Sequence, residues 1–316
     1  MKIKRPDMFT QAESARVNNI FLQIIIFYTV FLVIAIAESI VPSFMMIPEL
    51  MNYIMSDKFT GVNHEYMNFV MEVQARPQNM LATLFSTVFG TILSIVYCRF
   101  IEKRPLVSMG MRKDKAVSGY LKGMLTGLAM FSGVVLINII LGAMSFQGLN
   151  TNLNIGLLVI YLFAWLVQGM SEEFIFRGFL MNSIGGKHSM FSAVVISAGA
   201  FSLAHILNSG VTVLALVNIF FFGAFMSLYM ICFDNIWGVS AIHAIWNFSQ
   251  GNLFGISVSG TGSGETLFLT SSSESKAIVN GGAFGAEGGI ATTIILIIAF
   301  AVLFAYMFKK NKIDLT

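Results

Sequence analysis

The sequence predicts an all-α, polytopic membrane protein with about eight transmembrane helices and both termini in the cytoplasm. Three observations carry this prediction. Hydrophobic residues make up 56% of the 316 and charged residues only 11%, against about 25% charged in a soluble domain. The mean hydropathy is +0.78. The charges are also unevenly spread: runs approaching the ~20 apolar residues that a helix needs to cross the hydrocarbon core alternate with short polar segments.

Taken in order, residues 1–17 are polar and carry Lys2, Lys4, Arg5 and Arg16. The first span is expected over 18–46. Its Ala35-Ile36-Ala37 triplet mimics a signal-peptidase site, but the leading polar segment and the apolar run are both long for a signal peptide, so a retained helix is the preferred reading. Residues 47–78 read as a polar loop with Glu49, Asp57, Glu65, Glu72, Lys58 and Arg76. A second span covers 80–98. The most basic stretch follows, with Arg99, Lys103, Arg104, Arg112, Lys113 and Lys115. The third span runs over 117–144 and, after an uncharged polar loop, the fourth over 154–183. Gly185-Gly186-Lys187-His188 makes a tight turn into the fifth span, 190–207. The sixth covers 211–233 and the seventh 236–256. Residues 257–288 are rich in Gly and Ser, lack periodic hydrophobicity and read as a loop. The eighth span, 290–308, leads to Lys309, Lys310 and Lys312. The chain thus divides into a cytoplasmic segment (1–17), three N-terminal spans (18–150), a core of four spans (151–256), an extracytoplasmic loop (257–288), and a last helix with a basic tail (289–316).

Orientation follows from the basic residues. With the N-terminus inside, residues 1–17, 99–116, 186–189, 234–235 and 309–316 hold 14 of the 19 Lys and Arg, and the outer loops hold three, Lys58, Arg76 and Lys276. That is a strong positive-inside bias. Cys98 and Cys232 are far apart with no CxxC pair, and read as free thiols. The Gly-rich run 281–289 has no strand before it and no Lys-Ser/Thr after it, so a phosphate cradle is not expected. No nucleic-acid module is present. The partners expected are the lipid bilayer and a peptide or membrane-protein substrate.

One stretch breaks the pattern. Glu172, Glu173 and Arg177 stand where a membrane helix should carry no charge, each costing roughly 2.5–3.5 kcal/mol near the bilayer centre on insertion scales. Glu173 and Arg177 are four residues apart, the spacing that brings opposite charges together on one helix face. They are expected to neutralise each other, leaving Glu172 for other work. The plainer alternative is a single buried ionic cluster that fixes helix packing. His205 lies near the end of the fifth span, with Phe201 one turn before it. Counted from the turn near residue 188, Glu172 and His205 lie at similar depth, roughly 25 Å along antiparallel helices. His243 and Asn247, also four apart, share a face of the seventh span. Either can be a polar residue joining helices, yet two histidines, an amide and a carboxylate in one dry site exceed what packing requires.

Two chemistries fit such a set. Glu172 with His205 can hold a water and remove its proton, while His243 and Asn247 donate hydrogen bonds to the oxygen of a tetrahedral intermediate. Alternatively Glu172, His205 and His243 can ligate Zn²⁺ with an open position, although the HExxH spacing is missing. A proton-coupled transporter is a further reading, disfavoured because no inverted repeat or pair of broken helices is apparent.

Glu172-Glu173-xxx-Arg177, Phe201-xxx-His205 and His243-xxx-Asn247, each in its own span, resemble the three motifs of the CPBP family. This is the Abi, or CAAX-protease and bacteriocin-processing, group of intramembrane endopeptidases. The resemblance covers about residues 150–255. It implies an α-helical membrane fold, cleavage of peptide bonds in or near the bilayer, and a bacterial cell-membrane protein tied to bacteriocin processing or immunity. It implies Glu172 as the water-activating glutamate with His205 as its partner. His243 and Asn247 are implied as the oxyanion pair, and Glu173, Arg177 and Phe201 as supporting positions. No metal is expected on this reading. The rival expectation is a non-catalytic membrane scaffold or immunity factor that keeps the fold and binds a partner protein.

Overall fold

The computed structural model describes residues 2–314. Six helices are long and apolar enough to cross a membrane. Five belong to this framework: α2 (Ile20–Ile54), α4 (Pro77–Ile101), α6 (Ile155–Lys187), α8 (Val213–Phe233) and α10 (Ile290–Lys309). The sixth contains α5 (Ala116–Ile140). A short α1 (Asp7–Ala12) precedes them, and α3 (His64–Ala75) lies between α2 and α4. The fifth and seventh expected spans are shorter helices, α7 (Met190–Leu203) and α9 (Ile236–Phe248). At 1.5 Å per residue, the 14 residues of α7 reach only about 21 Å.

Several local expectations are corrected. The segment 47–78 is not one loop. α2 continues as helix through Pro42 and Pro48 to Ile54, and α3 occupies much of the rest. The polar stretch after α5 forms a strand, β2 (Met144–Leu149), and the 257–288 segment supplies its partner, β3 (Phe268–Ser272), in antiparallel register with Met144 opposite Ser272. The two cysteines are free and buried.

The polar segments collect at the two ends of the bundle. At one end, β1 (Lys2–Ile3) pairs antiparallel with β4 (Ile313–Asp314). There Met8 N donates to Asp234 Oδ1 at 3.0 Å, Arg112 Nη1 to Asp234 Oδ2 at 2.9 Å, Lys187 Nζ to the Glu13 carbonyl at 2.7 Å, and Lys312 Nζ to the Cys232 carbonyl at 2.6 Å. A buried pair, Arg104 and Glu102 at 2.5 Å, anchors the same end, and Ser183 Oγ donates to Glu102. At the other end lie the β2–β3 ribbon, an ion pair between Arg76 and Glu49, Lys276 Nζ on the Leu141 carbonyl at 2.7 Å, and Asn208 Nδ2 on the Ser259 carbonyl at 2.9 Å.

Small residues set how closely the core helices approach. Gly119, Gly123 and Gly127 repeat every four residues along α5 and face α9. A Cβ on Gly123 would lie 2.2 Å from the Gly238 carbonyl oxygen, and one on Gly127 2.5 Å from that of Ile242. This is the small-xxx-small packing by which membrane helices approach backbone to backbone. Gly169 of α6 does the same from the other side, where a Cβ would sit 2.5 Å from the Ala244 nitrogen. α9 is thereby clamped between α5 and α6. Twelve of its thirteen residues, His243 and Asn247 among them, are buried.

Candidate active site

α6 carries the central carboxylates about five turns from its start, directly before a change in helical geometry. From Phe174 to Met181 the helix widens to π form and all eight residues are buried. Such π segments occur preferentially at functional sites. The widening begins one residue past Glu173; the two glutamates, adjacent on the α-helical part, point about 100° apart and so meet different neighbours.

Glu173 faces inward and is fully buried, as is Arg177. Arg177 Nη1 donates to Glu173 Oε1 at 3.0 Å, as the four-residue spacing predicts. The guanidinium also stacks on Phe201, 4.5 Å from the ring centroid, a favourable cation–π contact. His243 Nδ1 lies 2.8 Å from the same Glu173 oxygen. Glu173 is therefore held from two sides, by a cation on its own helix and by a ring on α9.

Glu172 faces the other way, with its side chain 24% exposed. Gln168 Nε2 donates to its Oε1 at 2.6 Å, and Asn247 Nδ2 donates to Gln168 Oε1 at 3.0 Å. His243 Nε2 lies 3.4 Å from Glu172 Oε2. The chain Asn247–Gln168–Glu172–His243–Glu173–Arg177 thus joins α9 and α6 through polar contacts. Gln168 was not singled out from the sequence. Its signal was its place four residues before Glu172, as a polar residue in an otherwise apolar run.

His205 stands apart from that chain. Its Nδ1 is 2.8 Å from the Phe201 carbonyl oxygen, and its ring packs edge-on to Phe201 at 4.9 Å. A carbonyl only accepts, so Nδ1 carries the hydrogen and Nε2 presents its lone pair. Among the described residues no hydrogen bond joins His205 to Glu172. What they share is a wall: Glu172, His205, His243 and Asn247 all line one cavity of about 980 Å³. Phe201 and Phe222 back the His243 ring, at 5.8 and 5.6 Å.

A further carboxylate belongs to this cavity. Glu38, on α2, lies within the span expected over 18–46 and was not singled out from the sequence. It lines the cavity, and its Oε1 is buried without a hydrogen-bond partner. Gly90 lets it approach: a Cβ there would meet Glu38 Oε1 at 2.6 Å and Ser171 Oγ at 2.3 Å. Glu38 therefore sits beside Ser171, the residue before Glu172.

The zinc alternative can be tested on this geometry. Among the described residues no three His, Cys, Asp or Glu side chains are grouped to hold a metal ion. Glu172 and His243 come together, whereas His205, on the same cavity wall, has no hydrogen bond to either.

The same segment is recognised on comparison with known proteins. Residues 154–249 match the family described as type II CAAX prenyl endopeptidase Rce1-like. No curated protein and no solved structure matches the chain. The matched segment begins at the cap of α6, ends just past α9, and contains all seven motif residues from Glu172 to Asn247. Residues 154–249 thus match an Rce1-like domain, a model of the CAAX-protease, or CPBP, family.

Proposed function

We propose that this protein is an intramembrane endopeptidase in which Glu172 activates a water for attack on a peptide bond. The observation that carries the reading is the division of labour between adjacent glutamates. Glu173 is fully buried and shares one oxygen between Arg177 and His243, whereas Glu172 is partly exposed and lines a cavity large enough for an extended peptide.

The steps follow from the atoms available. A water between Glu172 and His205 Nε2 gives its proton to the carboxylate as its oxygen bonds to the substrate carbonyl carbon. The carbonyl oxygen takes up the negative charge. Asn247 has a second amide N–H beyond the one given to Gln168, and His243 Nε2, when protonated, is its neighbour on the same face. Together they offer donors to that oxygen, an interaction worth about 10²–10³ in rate per donor. The C–N bond then breaks, and Glu172 returns its proton to the departing amine. General-base help of this type contributes about 10²–10⁴. Gln168 holds the Glu172 carboxylate in place, and the Glu173–Arg177 pair positions His243. No metal is needed for any of these steps.

We further read the chain as crossing the membrane eight times with both termini cytoplasmic. The pairing of β1 with β4 supports an even number of crossings. On this reading α7 and α9 cross within a bundle whose other helices are longer.

Comparison of membrane proteomes from cells carrying wild-type and Glu172→Gln protein tests the function. Accumulation of an uncleaved peptide or membrane protein with the variant is expected. If the two proteomes coincide while the variant keeps the biological effect, the protein is a non-catalytic scaffold instead.

A further inference from the structure

The cavity occupies only one half of the bundle. Its walls come from the later part of α2, the first half of α4, the first turns of α8, and the segments 207–209 and 257–262. None of the residues at the β1–β4 end lines it. Residues 208 and 259 are joined by a hydrogen bond, and Gly262 approaches Ala75 of α3. The cavity therefore opens among the same segments that carry the β2–β3 ribbon.

The two ends differ sharply in charge. The segments at the β1–β4 end are those holding 14 of the 19 Lys and Arg. The opposite loops, 47–78 and 257–288, hold three basic residues against seven acidic ones. Retention of the basic end in the cytoplasm puts the mouth of the cavity on the outer side. The lining adds to this. It contains Glu38, Glu172 and Glu287 and no Lys or Arg. Glu287 is taken up by the Ser259 backbone and hydroxyl at 2.9 and 2.6 Å. Glu38 has an oxygen buried with no donor.

We propose that the cavity receives its substrate from the extracytoplasmic side, and that this substrate is an exported or membrane-anchored polypeptide segment bearing basic residues. The proposal rests on the peptide-cleaving reading and on the orientation given above. A cationic side chain entering the mouth meets carboxylates and no lysine or arginine, which is the electrostatic complement that steers binding and sets specificity. A cytoplasmic tail would have to traverse the closed, basic half of the bundle to reach Glu172.

The test uses single cysteines in the full chain, whose two native cysteines are buried. Thr261→Cys and Ser209→Cys sit at exposed positions of the mouth, and Lys310→Cys at an exposed position of the opposite end. Intact cells are treated with a membrane-impermeant maleimide. Labelling of Cys at 261 and 209 without permeabilisation, and at 310 only after it, is expected. The reverse pattern overturns the proposal. Protection is then measured on the Glu172→Gln form of the Thr261→Cys chain, so that cleavage plays no part. An added apolar peptide containing lysines is expected to slow labelling at least fivefold, and the same peptide with glutamates in their place is expected not to. Equal protection by both, or by neither, also overturns the proposal. A chain that passes both arms yet cleaves no peptide in wild-type form instead refutes the endopeptidase reading.

Discussion

Removing both partners of the Glu173–Arg177 pair should cost about as much as removing one. The pair is 3.0 Å apart and neither side chain is exposed. In Arg177→Met, Glu173 keeps only His243 Nδ1 at 2.8 Å as a donor, and the stacking of the guanidinium on Phe201 is lost. Breaking a buried pair on one side costs about 3–5 kcal/mol. The cation–π contact adds up to about 2 kcal/mol where it is desolvated. The surviving histidine bond holds the total toward the lower end, near 3 kcal/mol. Glu173→Gln should cost a similar amount, because it strands the Arg177 cation. The double variant should cost much less than the sum, leaving a coupling within the range of up to about 3 kcal/mol seen for residues in one network. The assay is a double-mutant cycle of reversible unfolding in detergent micelles. Additive losses, or single variants within about 0.5 kcal/mol of wild type, would refute the assignment of these charges to each other.

Further expectations concern the cavity. Gly169→Val places branched carbon where the Ala244 backbone lies 2.5 Å from an added Cβ. It should push α9 and His243 away from Glu172, abolish activity in a cleavage assay, and lower stability by about 1–3 kcal/mol. Gln168→Ala removes the 2.6 Å donor to Glu172; kcat should fall about tenfold, in line with loss of a hydrogen bond to a charged group, and Gln168→Asn, too short to reach, should not restore it. Glu38→Gln keeps the shape beside Gly90 while removing the charge; it should lower kcat/KM for substrates with basic residues and spare neutral ones, read by paired peptide assays.

Much of the site was legible because the bilayer makes polar residues conspicuous. Glu172, Glu173 and Arg177 stood out as charges in an apolar run, and helical spacing alone gave the Glu173–Arg177 contact that the structure contains. Depth counting brought His205 and Glu172 to one cavity, though not to one another. The contact that spacing could not give is the clasp of His243 by both glutamates, since it depends on how α9 lies against Gly169. Glu38 was passed over although it falls inside the span expected over 18–46; α2 in fact continues eight residues beyond that span, to Ile54. The continuation was masked by Pro42 and Pro48 and by acids such as Glu49, which pairs with Arg76 across the α3–α4 junction. The ribbon β2–β3 was hidden because its strands lie more than a hundred residues apart and read separately as polar loops. The glycines spaced by four along α5 were visible as residues, but their role depends on the carbonyls of α9 that they meet.

The central claim is that Glu172 is the base and that the water it activates needs no metal. The direct measurement is cleavage of an identified substrate peptide by purified, chelator-stripped protein in liposomes, with metal content determined on the same sample. Full activity in metal-free wild type, a fall of about 10²–10⁴ in kcat for Glu172→Gln, and unchanged unfolding stability of that variant are predicted. Activity that disappears with the metal and returns with Zn²⁺, or that survives in Glu172→Gln, would contradict the account.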